Sequence, residues 1–173
     1  MAVAFALKIL WLLYIFLVSN WEALLVVSII GFLIYQSFAE KEQIRSLTLD
    51  DVDKLSPRGF EEYLSEFFKD KGYNVIVTPM SGDKGADLIV ERSGVRTAIQ
   101  AKHYKVSVDH KSVQEVYCSL KYYKCKRAIV ITNSHFTKMA KVLGRSNKVE
   151  LWDRERLGNE LSNIKMIDSR EKL

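Results

Sequence analysis

The chain has 173 residues, enough for one modest domain and an appendage, and 48% of them are hydrophobic. Its 26 Lys and Arg residues outnumber its 21 Asp and Glu residues, a mild basic excess that suits polyanions, anionic lipid or simply a solvated surface. The two cysteines, Cys118 and Cys125, form neither a CxxC pair nor a Cys/His cluster, which argues against zinc and suits a reducing compartment.

The first 38 residues are almost entirely apolar, with Lys8 and Glu22 as their only charges. Two apolar runs, Ala2–Val18 and Ala23–Tyr35, are separated by a short polar break. A bilayer span takes about 20 apolar residues, so each run reaches the lower limit only with its flanks. The pattern predicts a hairpin of two short transmembrane helices over residues 1–38, and a single span followed by an interfacial helix is the alternative.

The charges around the two runs predict their orientation. Lys41 and Arg45 follow the second run, whereas the connector between the runs carries no Lys or Arg. Positive-inside reasoning therefore places both termini in the cytoplasm. A cleaved signal peptide is disfavoured, because no small-residue cleavage site follows the first run. We expect a multi-pass protein of the inner or plasma membrane, with the lipid bilayer as a partner and the polar remainder in the cytoplasm.

The remainder divides into a charged helical linker over residues 39–55, a domain over residues 56–163 and a C-terminal tail over residues 164–173. The domain opens with a helix, because Ser56 is a good N-cap and Pro57 suits the first helical position. The later periodicities predict strands over Tyr73–Pro79, Ala86–Glu91 and Val95–His103, a helix over Ser107–Tyr123, a strand over Arg127–Thr132, a helix over Ser134–Leu143, a strand over Val149–Trp152 and a helix over Arg154–Leu161. This order predicts an α/β fold with a mixed central β-sheet flanked by helices on both faces.

Four residues on two neighbouring predicted strands carry the chemistry. Gln100 and Lys102 are two residues apart, so they share a face of their strand, and a turn at Ser93-Gly94 brings Asp87 alongside. The Asp87 carboxylate, the Gln100 side-chain carbonyl and the main-chain carbonyl of Ala101 offer oxygen ligands to Mg2+ or Mn2+. Lys102 can orient or activate a metal-bound water and stabilise a charged transition state. This set indicates phosphodiester hydrolysis.

A second acid is expected from the first helix of the domain. Glu61 lies at the edge of the apolar face, whereas Glu62 lies on the solvated side. Asp83, in the loop before Asp87, is more often a turn former. His103 follows Lys102 on the opposite face, which favours a packing role.

Basic residues near the predicted strand ends are candidate DNA contacts, although a solvated helix end would account equally well for the run that starts at Lys121. These residues are Lys84, Lys105, Lys121, Lys124, Lys126 and Arg127.

The segments LSPRGFEEYL, KGYNVIVTPMSGDKGADLIV and IQAKHY resemble the Mrr-like restriction endonuclease domain over about residues 55–161. This domain is a branch of the PD-(D/E)xK nuclease superfamily in which Gln replaces the middle acid. The resemblance implies a restriction-endonuclease-like core and places Asp87, Gln100 and Lys102 at catalytic positions, with Glu61 as the helix glutamate. An apolar segment stands here where the family more often has a soluble DNA-recognition domain, which leaves recognition of modified bases open.

These observations predict a membrane-anchored, divalent-metal-dependent DNA endonuclease, with defence against foreign or modified DNA as a setting that the resemblance implies. The alternatives are a non-catalytic, membrane-tethered DNA-binding protein and a repair or junction nuclease of the same fold. A homodimer is one route to double-strand cleavage, because one active site cuts one strand. No nucleotide cofactor is evident in the sequence.

Overall fold

The chain divides into two compact units, Met1–Gln43 and Ile44–Leu173. The computed structural model describes residues 8, 11, 19–45, 47–79 and 84–171, without the side chains of residues 38, 40–45 and 163–171. The main described element of the first unit is α1, Trp21–Arg45, whose large apolar side chains from Trp21 to Tyr35 are exposed.

Within the described residues, no helix has both the length and the apolar character needed to cross a bilayer. The second predicted span falls in α1, and most of the first falls outside the described residues. The predicted transmembrane hairpin is therefore not supported by the structure.

The second unit holds a five-stranded sheet and its covering helices. In chain order the elements are α2 (Leu49–Val52), α3 (Pro57–Asp70), β1 (Asn74–Val77), β2 (Leu88–Arg92), β3 (Val95–Lys102), α4 (His110–Tyr122), β4 (Arg127–Thr132), α5 (Lys138–Ser146), β5 (Val149–Trp152) and α6 (Arg154–Glu171). The strands lie in the order β1-β2-β3-β4-β5, antiparallel from β1 to β3 and parallel from β3 to β5. The predicted mixed α/β sheet is confirmed.

Helices cover both faces of this sheet, as the alternation of buried side chains requires. On one face, Leu88, Ile99 and Ile131 pack against α3 and α6. On the other face, Ile89 and Val130 pack against α4 and α5. Gln100 and Lys102 have the phase of the second face, so their side chains lie on the side that α4 covers.

Boundaries of α4, α5 and α6 differ from the predicted ones. α4 begins at His110 rather than at Ser107, and α5 ends at Ser146 rather than at Leu143. α5 begins at Lys138 rather than at Ser134, because Thr137 is the N-cap and its hydroxyl accepts a hydrogen bond from the Ala140 N–H (3.2 Å). α6 continues to Glu171, so the predicted C-terminal tail is helical over residues 164–171.

The short helix α2 and the residue after it attach the start of the unit to the C-terminal ends of β3 and β4. Val52 is fully buried, and its carbonyl accepts a hydrogen bond from His103 Nε2 (2.9 Å). The Asp53 carboxylate accepts hydrogen bonds from Arg154 Nη1 (2.6 Å) and Asn133 Nδ2 (3.1 Å). The second half of the predicted linker is therefore packed as part of the domain.

Asp53 makes this attachment pH-dependent. Burial alone would raise the pKa of Asp53, but the hydrogen bonds from Arg154 and Asn133 and the charge of Arg154 outweigh it, so the pKa lies below the ordinary value of 3.8. A carboxyl group with a lowered folded-state pKa contributes stability above its unfolded pKa and loses that contribution as the pH falls through its folded pKa.

Replacing Asp53 with Asn should lower the free energy of unfolding at pH 7 by up to about 1 kcal/mol, since a partly exposed ion pair is lost. Below about pH 4 the difference from wild type should shrink, because wild-type Asp53 is then neutralised as well. Urea denaturation at both pH values measures this. Asp50→Asn is the control, because Asp50 also faces Arg154 (3.4 Å) but its side chain is 87% exposed. A difference that stays constant down to about pH 3 contradicts the assignment.

Candidate active site

Asp87 and Gln100 meet at one end of the sheet. Leu88 pairs with Ile99 in the antiparallel β2–β3 ladder, which places Asp87, just before β2, beside Gln100. Gln100 Nε2 donates a hydrogen bond to Asp87 Oδ2 (2.5 Å), and the Ala101 N–H donates to the same oxygen (2.7 Å). The structure thus brings together the two residues that the strand phase predicted to be neighbours, and both donors orient the carboxylate.

The backbone of Asp87 is fixed from both sides. Its N–H donates to the Ile99 carbonyl (2.8 Å). Its carbonyl accepts from the Thr78 N–H (3.0 Å) and from the Thr78 hydroxyl (3.0 Å). Main-chain bonds to two neighbouring segments therefore hold Asp87 in place before any ligand binds.

Gln100 is only 3% exposed, and its Oε1 atom has no hydrogen-bond partner among the described residues. Turning the amide over would place this oxygen against the Asp87 carboxylate, where two acceptors repel, so the carbonyl faces away from Asp87. An unpaired buried carbonyl costs about 1–3 kcal/mol. Such an oxygen is a suitable ligand for a hard cation.

The donor set fits Mg2+ or Mn2+. The N–H and C=O of a strand residue face the same neighbouring strand, so the Ala101 carbonyl is directed to the Asp87 side, as its N–H is. One carboxylate and two carbonyls suit an ion that keeps several waters. No group of three or more His, Cys, Asp or Glu side chains with metal-binding geometry occurs among the described residues, so this set depends on Gln100 and on the main chain.

Lys102 forms an ion pair with Glu115 on α4, with Nζ 3.1 Å from Oε2, and its side chain is 18% exposed. Burial by itself would lower the pKa of Lys102, but the hydrogen bond and charge of Glu115 outweigh it, with smaller effects of Tyr104 and Asp87, and the pKa lies above its ordinary value. Lys102 is therefore held as a cation. As a cation it can donate hydrogen bonds and stabilise negative charge.

From the sequence alone, Asp87 is the nearest plausible counter-charge for Lys102, and Glu115 was not predicted to be its partner. The available signal was that a half-buried lysine needs a partner, and Glu115 is the one acid in the helix that covers its face of the sheet. Helical spacing predicts Val113, Val116, Tyr117 and Leu120 on the inner side of α4. The prediction for Tyr117 is wrong, because its side chain is 47% exposed.

Gly85 brings the loop before β2 against α4. Its φ is +86°, and a Cβ atom on it would lie 2.3 Å from the carbonyl oxygen of Glu115. Only glycine fits a positive φ and so close a main-chain approach. This contact holds the Asp87 loop and the partner of Lys102 at the same end of the sheet. Asp83 lies outside the described residues.

Residues 52–161 match the family Mrr_cat, described as restriction endonuclease, and this match covers more than half of the chain. The chain belongs to the Mrr_cat restriction endonuclease family. The matched range contains Asp87, Gln100, Lys102 and Glu115. No curated protein gives a significant match to the chain.

Three solved structures resemble this Mrr_cat chain. The DNA modification-dependent restriction endonuclease AspBHI has a TM-score of 0.52 and 18% identity, over 76% of this chain and 38% of AspBHI. A protein of unknown function has a TM-score of 0.47 and 17% identity, over 54% and 55% of the two chains. MspJI restriction endonuclease in complex with a 27-mer oligonucleotide has a TM-score of 0.43 and 21% identity, over 61% and 26%. The chain thus spans about half or less of these proteins, and the AspBHI likeness supports a restriction endonuclease fold.

Glu61, which the resemblance predicted to be the helix glutamate, lies on α3 and is half-buried, whereas Glu62 is exposed and pairs with Arg58 (3.0 Å). The neighbouring Phe60 ring contacts the ring of His103, with centroids 5.5 Å apart. Asp87, Gln100 and Lys102 are called the Asp87 group below. α3 therefore starts at the same end of the sheet as the Asp87 group, although it covers the opposite face.

The structure separates the predicted DNA contacts into two groups. Lys84 and Lys105 are exposed in the segments adjoining Asp87 and Lys102. The other four are exposed at the opposite end of the sheet, because Arg127 pairs with Thr97, five residues and about 16 Å along β3 from Lys102. These distant residues are Lys121, Lys124, Lys126 and Arg127.

Gly85→Ala should lower the free energy of unfolding by about 1–3 kcal/mol, because both the backbone conformation and the Glu115 contact are violated. Gly94→Ala is the matched control, since Gly94 also has a positive φ (+73°) but a Cβ there meets nothing within 4 Å. Urea denaturation should show a larger loss for Gly85→Ala than for Gly94→Ala. Equal losses would contradict a close packing of this loop on α4.

Proposed function

We propose that the Mrr_cat domain of this chain is a divalent-metal-dependent endonuclease that hydrolyses phosphodiester bonds of DNA. The observation that carries the proposal is the buried carbonyl of Gln100, which has no hydrogen-bond partner in the described part of the chain. The same amide is bonded to the Asp87 carboxylate, and Lys102 follows two residues later on the strand. A binding module has no need of an unsatisfied buried oxygen at this place.

Asp87, Gln100 and the main-chain carbonyl of Ala101 would hold Mg2+ or Mn2+. Such an ion, when bound, lowers the pKa of a coordinated water and neutralises negative charge on the phosphate. The two hydrogen bonds from Gln100 and Ala101 keep one carboxylate oxygen of Asp87 fixed, which preorganises the site.

Lys102 has a separate part in this proposal. Its ammonium group, held by Glu115, is placed to donate hydrogen bonds to a phosphate oxygen and to stabilise charge that grows in the transition state. Because Lys102 is largely buried, solvent screens this interaction less than it would screen a surface lysine. Glu61 is proposed as a further acid, contributed by the start of α3.

DNA is the proposed substrate on the strength of the family, and the solved restriction endonucleases that the chain resembles include one described as DNA modification-dependent. Defence against foreign or modified DNA is the proposed setting. Double-strand cleavage would require two copies of the chain, or two events, because each copy carries one such group of residues.

Cleavage of supercoiled plasmid by the full-length chain tests the proposal. Wild type should nick the plasmid in the presence of Mg2+ or Mn2+, and nicking should stop when EDTA is added. Asp87→Asn and Lys102→Gln should each reduce the rate by about 100-fold or more, the usual cost of losing a preorganised charge or donor. Lys111→Gln, at an exposed position on α4, should cleave like wild type.

Glu115→Gln should lower the maximal cleavage rate by about tenfold with little change in KM, because it releases Lys102 without removing it. Glu62→Gln is its control, an exposed glutamate whose partner is also basic. If wild type binds DNA but shows no metal-dependent cleavage, the endonuclease proposal is contradicted and a non-catalytic, membrane-tethered DNA-binding protein is favoured instead. Activity confined to branched DNA would favour a junction nuclease.

We also propose that residues 1–38 attach the chain to the inner or plasma membrane, with the Mrr_cat domain on the cytoplasmic side. The proposal rests on the sequence, in which Lys8 and Glu22 are the only charges of this segment, and on the exposed apolar side chains of α1. The chain should sediment with membranes after an alkaline wash. A cysteine introduced as Ser19→Cys should react with an impermeant thiol reagent in intact cells, whereas the exposed Cys118 should not. Recovery in the soluble fraction would contradict the attachment.

A further inference from the structure

A cleft of about 400 Å³ lies at the end of the sheet opposite to the Asp87 group. We call it the far cleft. Thr97 in its wall precedes Lys102 by five residues on β3, a separation of about 16 Å along the strand. Its buried wall residues belong to the face covered by α3 and α6, whereas Gln100 and Lys102 lie on the other face. The far cleft is therefore separate from the candidate active site.

The charged groups that line the far cleft leave an excess of positive charge. Its two carboxylates are already paired: Glu150 binds Arg127 (3.5 Å) and Arg156 (3.0 Å), and Glu160 binds Lys71. A fourth cation, Arg92, forms no ion pair among the described residues and lies over the Tyr73 ring, 5.4 Å from its centroid. Four cations and two engaged carboxylates favour an anionic ligand.

The wall of the far cleft also contains a buried hydrogen-bond donor, the indole N–H of Trp152. Trp152 is 6% exposed, and its Nε1 has no hydrogen-bond partner among the described residues. An indole N–H can only donate, so the group that satisfies it must be an acceptor. The Arg156 guanidinium lies over the Trp152 ring, 5.2 Å from its centroid. The cations that line the far cleft favour a ligand that carries acceptor atoms.

We propose that the far cleft binds a free nucleotide, a small phosphate ester that carries a planar base. The phosphate would supply acceptors to Arg92 and Arg156, whose guanidinium groups suit phosphate geometry. Guanidinium planes and the Tyr73 ring are also surfaces on which a planar base stacks. A volume of about 400 Å³ exceeds what a phosphate ion needs and falls within the usual ~300–1,000 Å³ of small-ligand sites.

No nucleotide ligand is evident from the sequence, and the construction of the far cleft explains why. Its basic and aromatic residues come from α3, β2, β4, β5 and α6 and from the turn before β1, so no contiguous phosphate-binding motif exists to be found. The inference does not depend on the nuclease proposal, because it uses none of the Asp87 group.

Titration of the full-length chain with the four nucleoside 5′-monophosphates tests the inference. Trp11→Phe and Trp21→Phe leave Trp152 as the one fluorophore of its kind. At least one nucleotide should change Trp152 fluorescence saturably, and inorganic phosphate or adenosine alone should bind about tenfold more weakly, because each satisfies only part of the cleft.

Arg92→Gln should weaken nucleotide binding about tenfold, since a charge-assisted contact to phosphate is lost. It should lower the melting temperature only slightly, because Arg92 is exposed and what it loses is a contact with the Tyr73 ring at the protein surface. Arg145→Gln on α5, also exposed and outside the far cleft, should bind like wild type. The inference is overturned by the absence of any saturable signal, by equal affinity in Arg92→Gln and wild type, or by a Trp152 response to a short oligodeoxynucleotide but to no mononucleotide.

Discussion

Two N–H groups of β3 converge on one oxygen of Asp87, and the arrangement of the candidate site depends on that convergence. The side-chain amide of Gln100 gives one hydrogen bond and the main chain of Ala101 gives the other. Because the amide nitrogen donates to Asp87, the carbonyl of the same group is buried without a hydrogen-bond partner among the residues that the structure describes. A single interaction thus orients the carboxylate and directs a second oxygen ligand, the Gln100 carbonyl, away from it. Lys102 then follows in phase on the same strand face.

α4 supports this arrangement in two ways. Its Glu115 carboxylate holds the Lys102 ammonium group, and its main chain at the same residue receives the Gly85 loop. Side chain and backbone of one helical residue therefore set the distance between the two halves of the site. This is a rigid solution, because main-chain carbonyls in a helix cannot move aside as flexible side chains can.

The sequence was sufficient for the parts of the site that depend on strand periodicity. The alternation of side chains places Gln100 and Lys102 on one face, and the Ser93-Gly94 turn, with both residues at positive φ, returns the chain so that Asp87 faces Gln100. It was insufficient for contacts between elements. The pairing of Lys102 with Glu115 depends on how α4 crosses the sheet, which no local pattern specifies. The far cleft is assembled from several elements, so its composition emerges only after folding. Apolar composition was also an insufficient guide in the N-terminal segment. It predicted a transmembrane hairpin that the described residues do not support.

The attachment of α2 has a practical consequence for how the nuclease domain can be excised. A fragment that begins at Ser56, where the first long helix of the domain is capped, would discard Val52 from a core position that it fills completely. The vacated space would lie in the core cluster that also contains Phe60, Leu64 and Leu157, and a cavity of that kind typically costs about 1–3 kcal/mol for a valine-sized loss. Such a fragment would also leave His103 without the carbonyl that orients its ring, one residue from Lys102. The N-terminal boundary of a stable domain fragment therefore lies before α2, a short helix within the segment predicted to be a charged linker.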